Sequence, residues 1–350
     1  MDENLFASVS AGEHLQRRRM NMPRTMVIAL MLTLLAPGFR LVAQDLPSPE
    51  RIVQDSLDRS EPDDRFDLVK AQLEGSYFMI LSGWGELQRN LFFEGNIAPH
   101  FAAAWKTGSV VFTPKLILRM ENDSTGSAPV RTPSYMPRLA MYLWGSPIPQ
   151  TENSFQFVSF LISHHSNGQS GPFYDSITGL HNLEDGSFST NFVEVGFHSV
   201  GDGTIFDRLL GFTSGGTSWE KIAFRAHIPV NEDPELRSPE GDDQYGRYRL
   251  IYSQSARATL FRRIIPFDTK SNTEISYVLD RHFRSEPLLT RNRLNVSYSL
   301  LLTPRMNEDF GVYLNYYRGQ DYYNIWYDKR IDVFRLGIST NSVTTIFRPR

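Results

Sequence analysis

The sequence has no cysteine among its 350 residues. Disulfide bonds, thiolate metal sites and a lipid anchor on cysteine are therefore excluded. Positive charge is not in excess either: the formal net charge is −3, which gives no reason to expect nucleic acid as a partner. The mean hydropathy is only −0.33, a value typical of soluble proteins. Strands of a membrane barrel alternate apolar and polar residues, however, so a low average does not exclude that class.

The first 43 residues have the features of an export signal. Four arginines lie within residues 17–24, ahead of an apolar run over residues 26–36, and Ala43 offers a small residue before a cut at Gln44. A basic flank, a short apolar stretch and an alanine at the cut are typical of secretory signals. The apolar run is too short to span a bilayer, which takes about 20 residues. Residues 1–19 look dispensable, with Met20 or Met22 as the natural start.

The chain is predicted to have three parts. A signal peptide covers residues 1–43, and a polar, acidic lead-in over residues 44–75 is expected to lie in the periplasm as a mobile or weakly helical segment. From about residue 95 onward apolar and polar residues alternate with a period of two, as residues 112–120 and 222–228 illustrate. One apolar and one polar face at this spacing indicate a sheet between two unlike surroundings. We assign residues 76–350 to this sheet.

Three features favour a membrane barrel over a soluble β-sandwich, which also alternates. The strands are near the 9–11 residues that a tilted membrane strand needs. Their polar faces are rich in Arg, Lys and Asn, as a wet lumen would be. Tyrosine and tryptophan gather near strand ends, as in interfacial girdles: Tyr142, Trp144, Trp219, Tyr316, Tyr317 and Trp326. The sequence thus predicts an all-β fold, a transmembrane antiparallel β-barrel of about 12 strands in a bacterial outer membrane.

A cluster of polar residues lies on an apolar strand face. Period two puts His164 and Ser166 on the outward face at the end of one strand, and Asn191 on the outward face at the start of the next. Antiparallel pairing would bring these strand ends together. Histidine can take the proton of a serine nucleophile, and a third group must orient the imidazole. Backbone N–H groups at Ser166 and Gly168 could form an oxyanion hole.

A structural interpretation competes with this catalytic one. Ser, His, Asn and Gly are ordinary turn residues at the end of a strand. Unpaired polar groups facing lipid cost several kcal/mol, however, and this favours a function for the three side chains. The neighbouring His165 faces the opposite way and is interpreted as a lumen or rim residue.

The segment His164-His165-Ser166-Asn167-Gly168, with Pro172 after it and Asn191 at the start of the next strand, resembles the signature of the outer-membrane phospholipase A family. Residues 134–139 and 317–322 are also similar to that family and follow its order. The resemblance spans roughly residues 130–340. It implies a twelve-stranded barrel that hydrolyses acyl esters of membrane glycerophospholipids and lysophospholipids with Ser166, His164 and Asn191. It also implies calcium dependence and activation as a homodimer.

The chain departs from the family pattern at the implied calcium site. The family has an acidic residue just before the proline, where this sequence has Gly171, and the connection to Asn191 is longer here. Asp175 and Asp185 are the candidate replacement ligands, with solvated loop acids as the alternative interpretation. Calcium prefers several oxygen ligands, and the family's set is not visible in this sequence.

Three other functions remain open. A lipid A deacylase carries a similar His-x-Ser-Asn stretch on a smaller barrel, with an acidic third member. Glu194 is poorly placed for that role, because it lies on the face opposite Asn191. A porin or structural barrel would leave His164 and Ser166 incidental, and a secreted β-sandwich would not enter the outer membrane.

Overall fold

The computed structural model describes residues 62–82, 91–121, 129–145, 154–202, 217–229, 239, 242–260, 267–281, 283–304, 310–340 and 343–347. Within these ranges lie one α-helix, several short 3-10 turns and fourteen strands. The helix, α1, spans Pro62–Lys70. The strands are β1 (Ser76–Ser82), β2 (Leu91–Ile97), β3 (His100–Trp105), β4 (Gly108–Glu121), β5 (Ser134–Leu143), β6 (Ser154–Ser166), β7 (Ser189–Asp202), β8 (Thr217–Ile228), β9 (Tyr248–Leu260), β10 (Phe267–Val278), β11 (Leu294–Pro304), β12 (Phe310–Gln320), β13 (Arg330–Thr340) and β14 (Val343–Phe347).

The sheet closes on itself as a barrel. Each strand from β4 to β13 pairs antiparallel with the next one in sequence, β13 pairs with β1, β1 with β2, and β2 with β4. This circuit contains twelve strands, and it confirms the predicted all-β barrel of about twelve strands. No helix in the described ranges is both long and apolar enough to cross a membrane.

One position in the wall is shared by short strands. β2 and β3 pair with successive parts of β4 and are separated by Ala98 and Pro99. Proline supplies no N–H to a ladder, which explains an interruption at this point. Beside them, β1 pairs antiparallel with β2, and β14 pairs parallel with β3. The C-terminal strand thus extends the wall where β1 stops.

The apolar and polar residues that alternate along the sequence point alternately to the outside and the inside of the barrel wall. In β4 the side chains of Thr113, Lys115 and Arg119 are buried inside the barrel, whereas Phe112 is exposed on its outer surface. The same division holds along β7, where Val195 is 50% exposed and the adjacent Glu194 only 4%. An apolar exterior and a charged interior are the surfaces that a lipid-embedded barrel presents.

Buried charges in the lumen are paired across the barrel. Glu94 of β2, which is fully buried, contacts Arg119 of β4 at 2.7 Å and Arg335 of β13 at 3.3 Å. Arg119 also contacts Asp321, at 2.8 Å. A buried charge is tolerated only when it is paired and hydrogen-bonded. The cluster explains why the segment 317–322 contains an acid at this point: Asp321 joins the loop after β12 to the wall at β4.

Helix α1 fills one end of the lumen. It begins at Pro62, since proline is favoured at the first helical position. Phe66 and Val69 are three residues apart and therefore lie on one face of the helix. Both are fully buried. They belong to an apolar cluster formed with the inner side of the wall. The backbone carbonyl of Leu68 accepts a hydrogen bond from the Trp219 indole at 3.2 Å. We call this end of the barrel the plug end.

Glu74, just after α1, anchors the segment further into the lumen. Its carboxylate lies 2.6 Å from the ammonium of Lys115 and 3.2 Å from the guanidinium of Arg138. Part of the predicted lead-in is therefore packed inside the barrel. Residues 44–61 and the predicted signal peptide, residues 1–43, lie outside the described residues.

Two of the tryptophans assigned to an interfacial girdle face inward. Trp144 is 2% exposed and Trp219 6% exposed. Both pack in the apolar cluster around α1, and the Trp144 indole donates to the Lys106 carbonyl at 3.0 Å. The girdle prediction is wrong for these two side chains, because it used only their distance from a strand end, whereas both indoles point inward and cover the helix.

Phe66→Ala should lower the free energy of unfolding by about 3 kcal/mol or more. The substitution removes a fully buried aromatic ring from a packed cluster. Urea unfolding of the refolded barrel measures this. Phe101→Ala is the matched control, because Phe101 points outward and is 37% exposed, and it should cost less. Equal losses in the two variants would show that α1 does not pack in the lumen in solution.

Candidate active site

Strand register brings His164 and Asn191 side by side. β6 and β7 pair antiparallel with His164 directly opposite Asn191 and Ser166 opposite Ser189. The Nδ1 atom of His164 lies 2.9 Å from the Asn191 side-chain oxygen. An amide oxygen can only accept, so this bond places a proton on Nδ1 and leaves the lone pair on Nε2. The predicted proximity of these two residues is thus present in the structure.

Ser166 shares the outward face with His164, two residues further along β6. All three side chains of the proposed triad are partly exposed, and their neighbours on the same faces are exposed apolar residues: Phe160, Ile162, Val193 and Val195. Within the described part of the chain, no hydrogen bond joins the Ser166 hydroxyl to the His164 imidazole. The structure therefore brings His164 and Asn191 together, with Ser166 two residues further along the same strand face.

The connection between β6 and β7, residues 167–188, is a folded loop that we call the rim loop. Asn167 is buried and fastens the two ends of this loop. Its side-chain nitrogen donates to the Gly186 carbonyl at 2.8 Å, and its side-chain oxygen accepts from the Phe188 N–H at 3.0 Å. Asn167 therefore fixes the backbone next to Ser166. A sequence alone does not distinguish such a clamp from an ordinary turn asparagine.

Gly168 has the backbone conformation that the turn requires. Its φ is +70°, a region that favours glycine. Its Cα carries no side chain where the ring of Tyr135 approaches, and a Cβ there would lie 3.5 Å from that ring. Among the described residues, the Gly168 N–H donates to no acceptor. Tyr135 pairs with Ser166 across β5 and β6, which places the conspicuous segment 134–139 next to the candidate site.

The two rival residues from the sequence are on the inner side of the wall. His165 is 6% exposed and packs edge-on against Phe188. Glu194 is paired with Lys221 at 3.1 Å and with Arg225 at 2.7 Å. Neither reaches the outward face that carries His164 and Asn191, and only a change of register would bring them there.

The candidate calcium ligands have different surroundings. One carboxylate oxygen of Asp175 accepts three hydrogen bonds from its own turn, from the N–H of Ile177, the N–H of Thr178 and the Thr178 hydroxyl. Asp185 instead lies against Gly171: a Cβ on Gly171 would be 2.7 Å from the Asp185 carboxylate. Asp185 thus occupies the space that a side chain at position 171 would enter. In the described ranges no group of three or more His, Asp or Glu side chains could hold a metal ion.

A buried histidine joins the rim loop to two other loops. His181 Nε2 lies 2.7 Å from Asp242, its Nδ1 lies 3.6 Å from Asp328, and the Tyr327 hydroxyl donates to Asp242 at 2.8 Å. Burial by itself would lower the pKa of His181, but the hydrogen bond with Asp242 and the nearby Asp328 carboxylate raise that pKa to about 9. The His181 imidazole is therefore protonated, and positively charged, at neutral pH. No local sequence pattern predicts this link, because Asp242 and Asp328 lie 61 and 147 positions after His181.

Similar folds occur among solved structures. The outer membrane phospholipase of Salmonella typhi, solved as a dimer with bound calcium, is 12% identical, with a TM-score of 0.50 over 77% of this chain and 91% of that chain. Outer membrane phospholipase A of Escherichia coli is 13% identical, with a TM-score of 0.47 over 85% of this chain and 99% of that chain. No family model and no curated protein matches the sequence. At 12% identity, the similarity to the Salmonella structure shows that the two chains share a fold.

The His181 link should give a defined pH dependence of stability. A raised histidine pKa contributes stability that is fully present below the unfolded value, about 6.5, and is lost as the pH rises through about 9. Wild type should exceed His181→Gln in unfolding free energy by up to about 3 kcal/mol at pH 6. The difference should disappear above pH 9, as measured by urea unfolding. A difference that does not change with pH would contradict the charged link.

Proposed function

We propose, from the fold shared with an outer membrane phospholipase, that this chain is a carboxylic ester hydrolase that cleaves acyl esters of membrane glycerophospholipids. Ser166 is the nucleophile, His164 the general base and Asn191 the residue that orients the imidazole. The observation that carries the proposal is the 2.9 Å bond between His164 and Asn191 on an apolar outer surface. Polar groups facing lipid are costly, so a polar trio at this place favours a catalytic role.

The geometry supports an acyl-transfer mechanism. With its Nδ1 proton directed at Asn191, His164 can accept the Ser166 proton at Nε2 while the serine oxygen attacks the ester carbonyl carbon. The tetrahedral intermediate carries a negative oxygen, which the Gly168 N–H could stabilise as a donor. Collapse of the intermediate expels the lysophospholipid alkoxide, which takes the proton from His164. Water then cleaves the acyl-serine by the same route.

The surroundings of the site agree with a substrate that lies in the membrane. The exposed apolar side chains on β6 and β7 would contact acyl chains, and the rim of the barrel is the level at which ester groups of a lipid lie. We infer that the chain is a multi-pass barrel of a bacterial outer membrane. Its proposed partners are membrane phospholipids, acted on as phospholipids and lysophospholipids, and a second copy of the chain in a homodimer.

The alternatives predict other outcomes. A lipid A deacylase with an acidic third member would need a carboxylate near His164, and Glu194 lies inside the lumen, paired with Lys221 and Arg225. Release of acyl chains from lipid A, without hydrolysis of phosphatidylethanolamine, would favour that activity nonetheless. A porin would conduct ions in planar bilayers, and its properties would not change in Ser166→Ala.

Ser166→Ala and His164→Ala should each lower kcat by about a thousandfold or more, because they remove the nucleophile and the base. Asn191→Ala should retain some activity. Removing the orienting residue lowers kcat by a factor on the order of tenfold smaller than removing the nucleophile or the base. The measurement is release of fatty acid from phosphatidylethanolamine vesicles by the refolded chain. Ser170→Ala, an exposed serine of the rim loop, is the matched control. Wild-type activity in Ser166→Ala would overturn the mechanism.

Calcium would act here as a Lewis acid near the oxyanion if it were bound, but the residues of one chain do not fit it. Gly171 and its surroundings provide a single carboxylate, Asp185, whereas calcium takes six to eight oxygen ligands, as a rough rule.

Hydrolysis by the monomeric barrel should therefore change by less than about twofold when EDTA is added. The comparison uses wild type and Asp185→Asn, each with calcium and with EDTA. Activity that EDTA abolishes in wild type would contradict this prediction and indicate ligands contributed by a second copy. Such a result would leave the Ser166 test unaffected.

A further inference from the structure

A cavity lies at the same rim of the barrel as Ser166, but on the inner side of the wall. It has a volume of about 200 Å³ and lies where β2, β4 and β13 meet the loop after β12. Pockets that hold drug-sized ligands have volumes of roughly 300–1,000 Å³. The cavity is thus large enough only for a small group. None of the proposed catalytic residues lines it.

Positive charge predominates around this cavity. Four cationic side chains line it: Arg119, Arg131, Lys329 and Arg335. The neighbouring carboxylates are fewer, because Arg119 and Arg335 share Glu94, Arg119 also contacts Asp321, and Arg131 contacts Glu121 at 3.0 Å. Four cations therefore face three carboxylates.

Lys329 is the cation without a carboxylate. Its ammonium lies 3.9 Å from the centre of the Trp326 ring, and no ion pair to it exists among the described residues. A tryptophan face attracts a cation without neutralising it. Arg131 approaches the same ring, at 5.6 Å. Both cations therefore lie next to the indole, and among the described residues Arg131 is paired with a carboxylate whereas Lys329 is not.

The floor of the cavity keeps unused hydrogen-bond donors. Arg119 is 3% exposed and Arg335 1% exposed. Nη2 of Arg119, together with Nε and Nη2 of Arg335, has no hydrogen-bond partner among the described residues. Buried donors are nearly always satisfied in folded proteins. Two buried guanidinium groups beside the cavity therefore retain N–H groups that no acceptor among the described residues satisfies.

We propose that this cavity is a binding site for a phosphate group, either free phosphate or the phosphate of a lipid headgroup. Phosphate presents several oxygens to forked guanidinium donors, and lysine adds a point charge. Lys329 and Arg131 bind it at the mouth, above the guanidinium groups of Arg119 and Arg335. Trp326 borders the site as an apolar wall. The proposal is independent of hydrolysis at Ser166.

The test is isothermal titration of the refolded full chain with inorganic phosphate and, separately, with glycerophosphoethanolamine, a headgroup without acyl chains. Wild type should bind at least one of the two saturably. Lys329→Gln should weaken binding by about tenfold, the loss of one charge-assisted hydrogen bond, and Lys329→Arg should restore it. Lys106→Gln, an exposed lysine of the turn between β3 and β4, is the matched control and should bind as wild type does.

The two titrants separate the sources. Tighter binding of glycerophosphoethanolamine identifies a lipid headgroup, whereas binding of inorganic phosphate alone identifies the free ion. Absence of saturable binding of both would overturn the proposal and leave a water-filled cavity. Equal affinity in wild type and Lys329→Gln would overturn it as well, provided that both proteins migrate as folded barrels in unheated gels.

Discussion

The pairing of β1 with β13 is the interaction on which the rest of the barrel depends. It runs from Ser76 with Thr340 to Ser82 with Arg335 and turns an open sheet into a closed one. In a hydrocarbon layer each unpaired backbone group costs several kcal/mol, so a sheet with free edges would not be stable there. Closure also fixes the direction of every side chain, because alternation along each strand then divides the chain into an outer and an inner surface.

The inner surface combines features that would be unfavourable separately. Arginine, lysine and glutamate are buried together, and their charges are compensated across strands that are far apart in sequence. Helix α1 seals one end with apolar contacts, while His181, Asp242 and Tyr327 tie loops together at the other. Removing one member of such a pair leaves a buried charge without compensation, which is more damaging than replacing the whole pair. The interior therefore specifies the arrangement of strands and loops, beyond the weak specificity of the apolar outer face.

Much of the architecture could be predicted from the sequence because a barrel has a simple period. Alternation predicted that Thr113 and Lys115 face inward and Phe112 outward, and the number of alternating segments indicated about twelve strands. The neighbourhood of His164 and Asn191 followed from antiparallel pairing of consecutive strands, since both residues are next to one short connection. The orientation of the Ser166 hydroxyl did not follow, because a side-chain torsion leaves no trace in the pattern.

Other features required contacts that no local pattern records. Arg119 meets Asp321 across 202 positions of sequence, and α1 covers Trp144 and Trp219, which resembled girdle residues when only their distance from strand ends was considered. Asn167 looked like a turn residue, and its role as a clamp emerges only from the carbonyl of Gly186. In each case the information lies in the partner, which a single sequence does not identify.

The closing seam between β1 and β13 has a consequence for assembly. Ser76 of β1 pairs with Thr340 of β13. One edge of the first strand therefore stays unpaired until one of the last strands is available to close the barrel. Folding rates fall as contacts become more distant along the chain, and until closure both margins of the growing sheet can recruit strands from other chains. Assembly of the barrel therefore requires that nascent molecules stay apart until β13 of each chain can pair with β1.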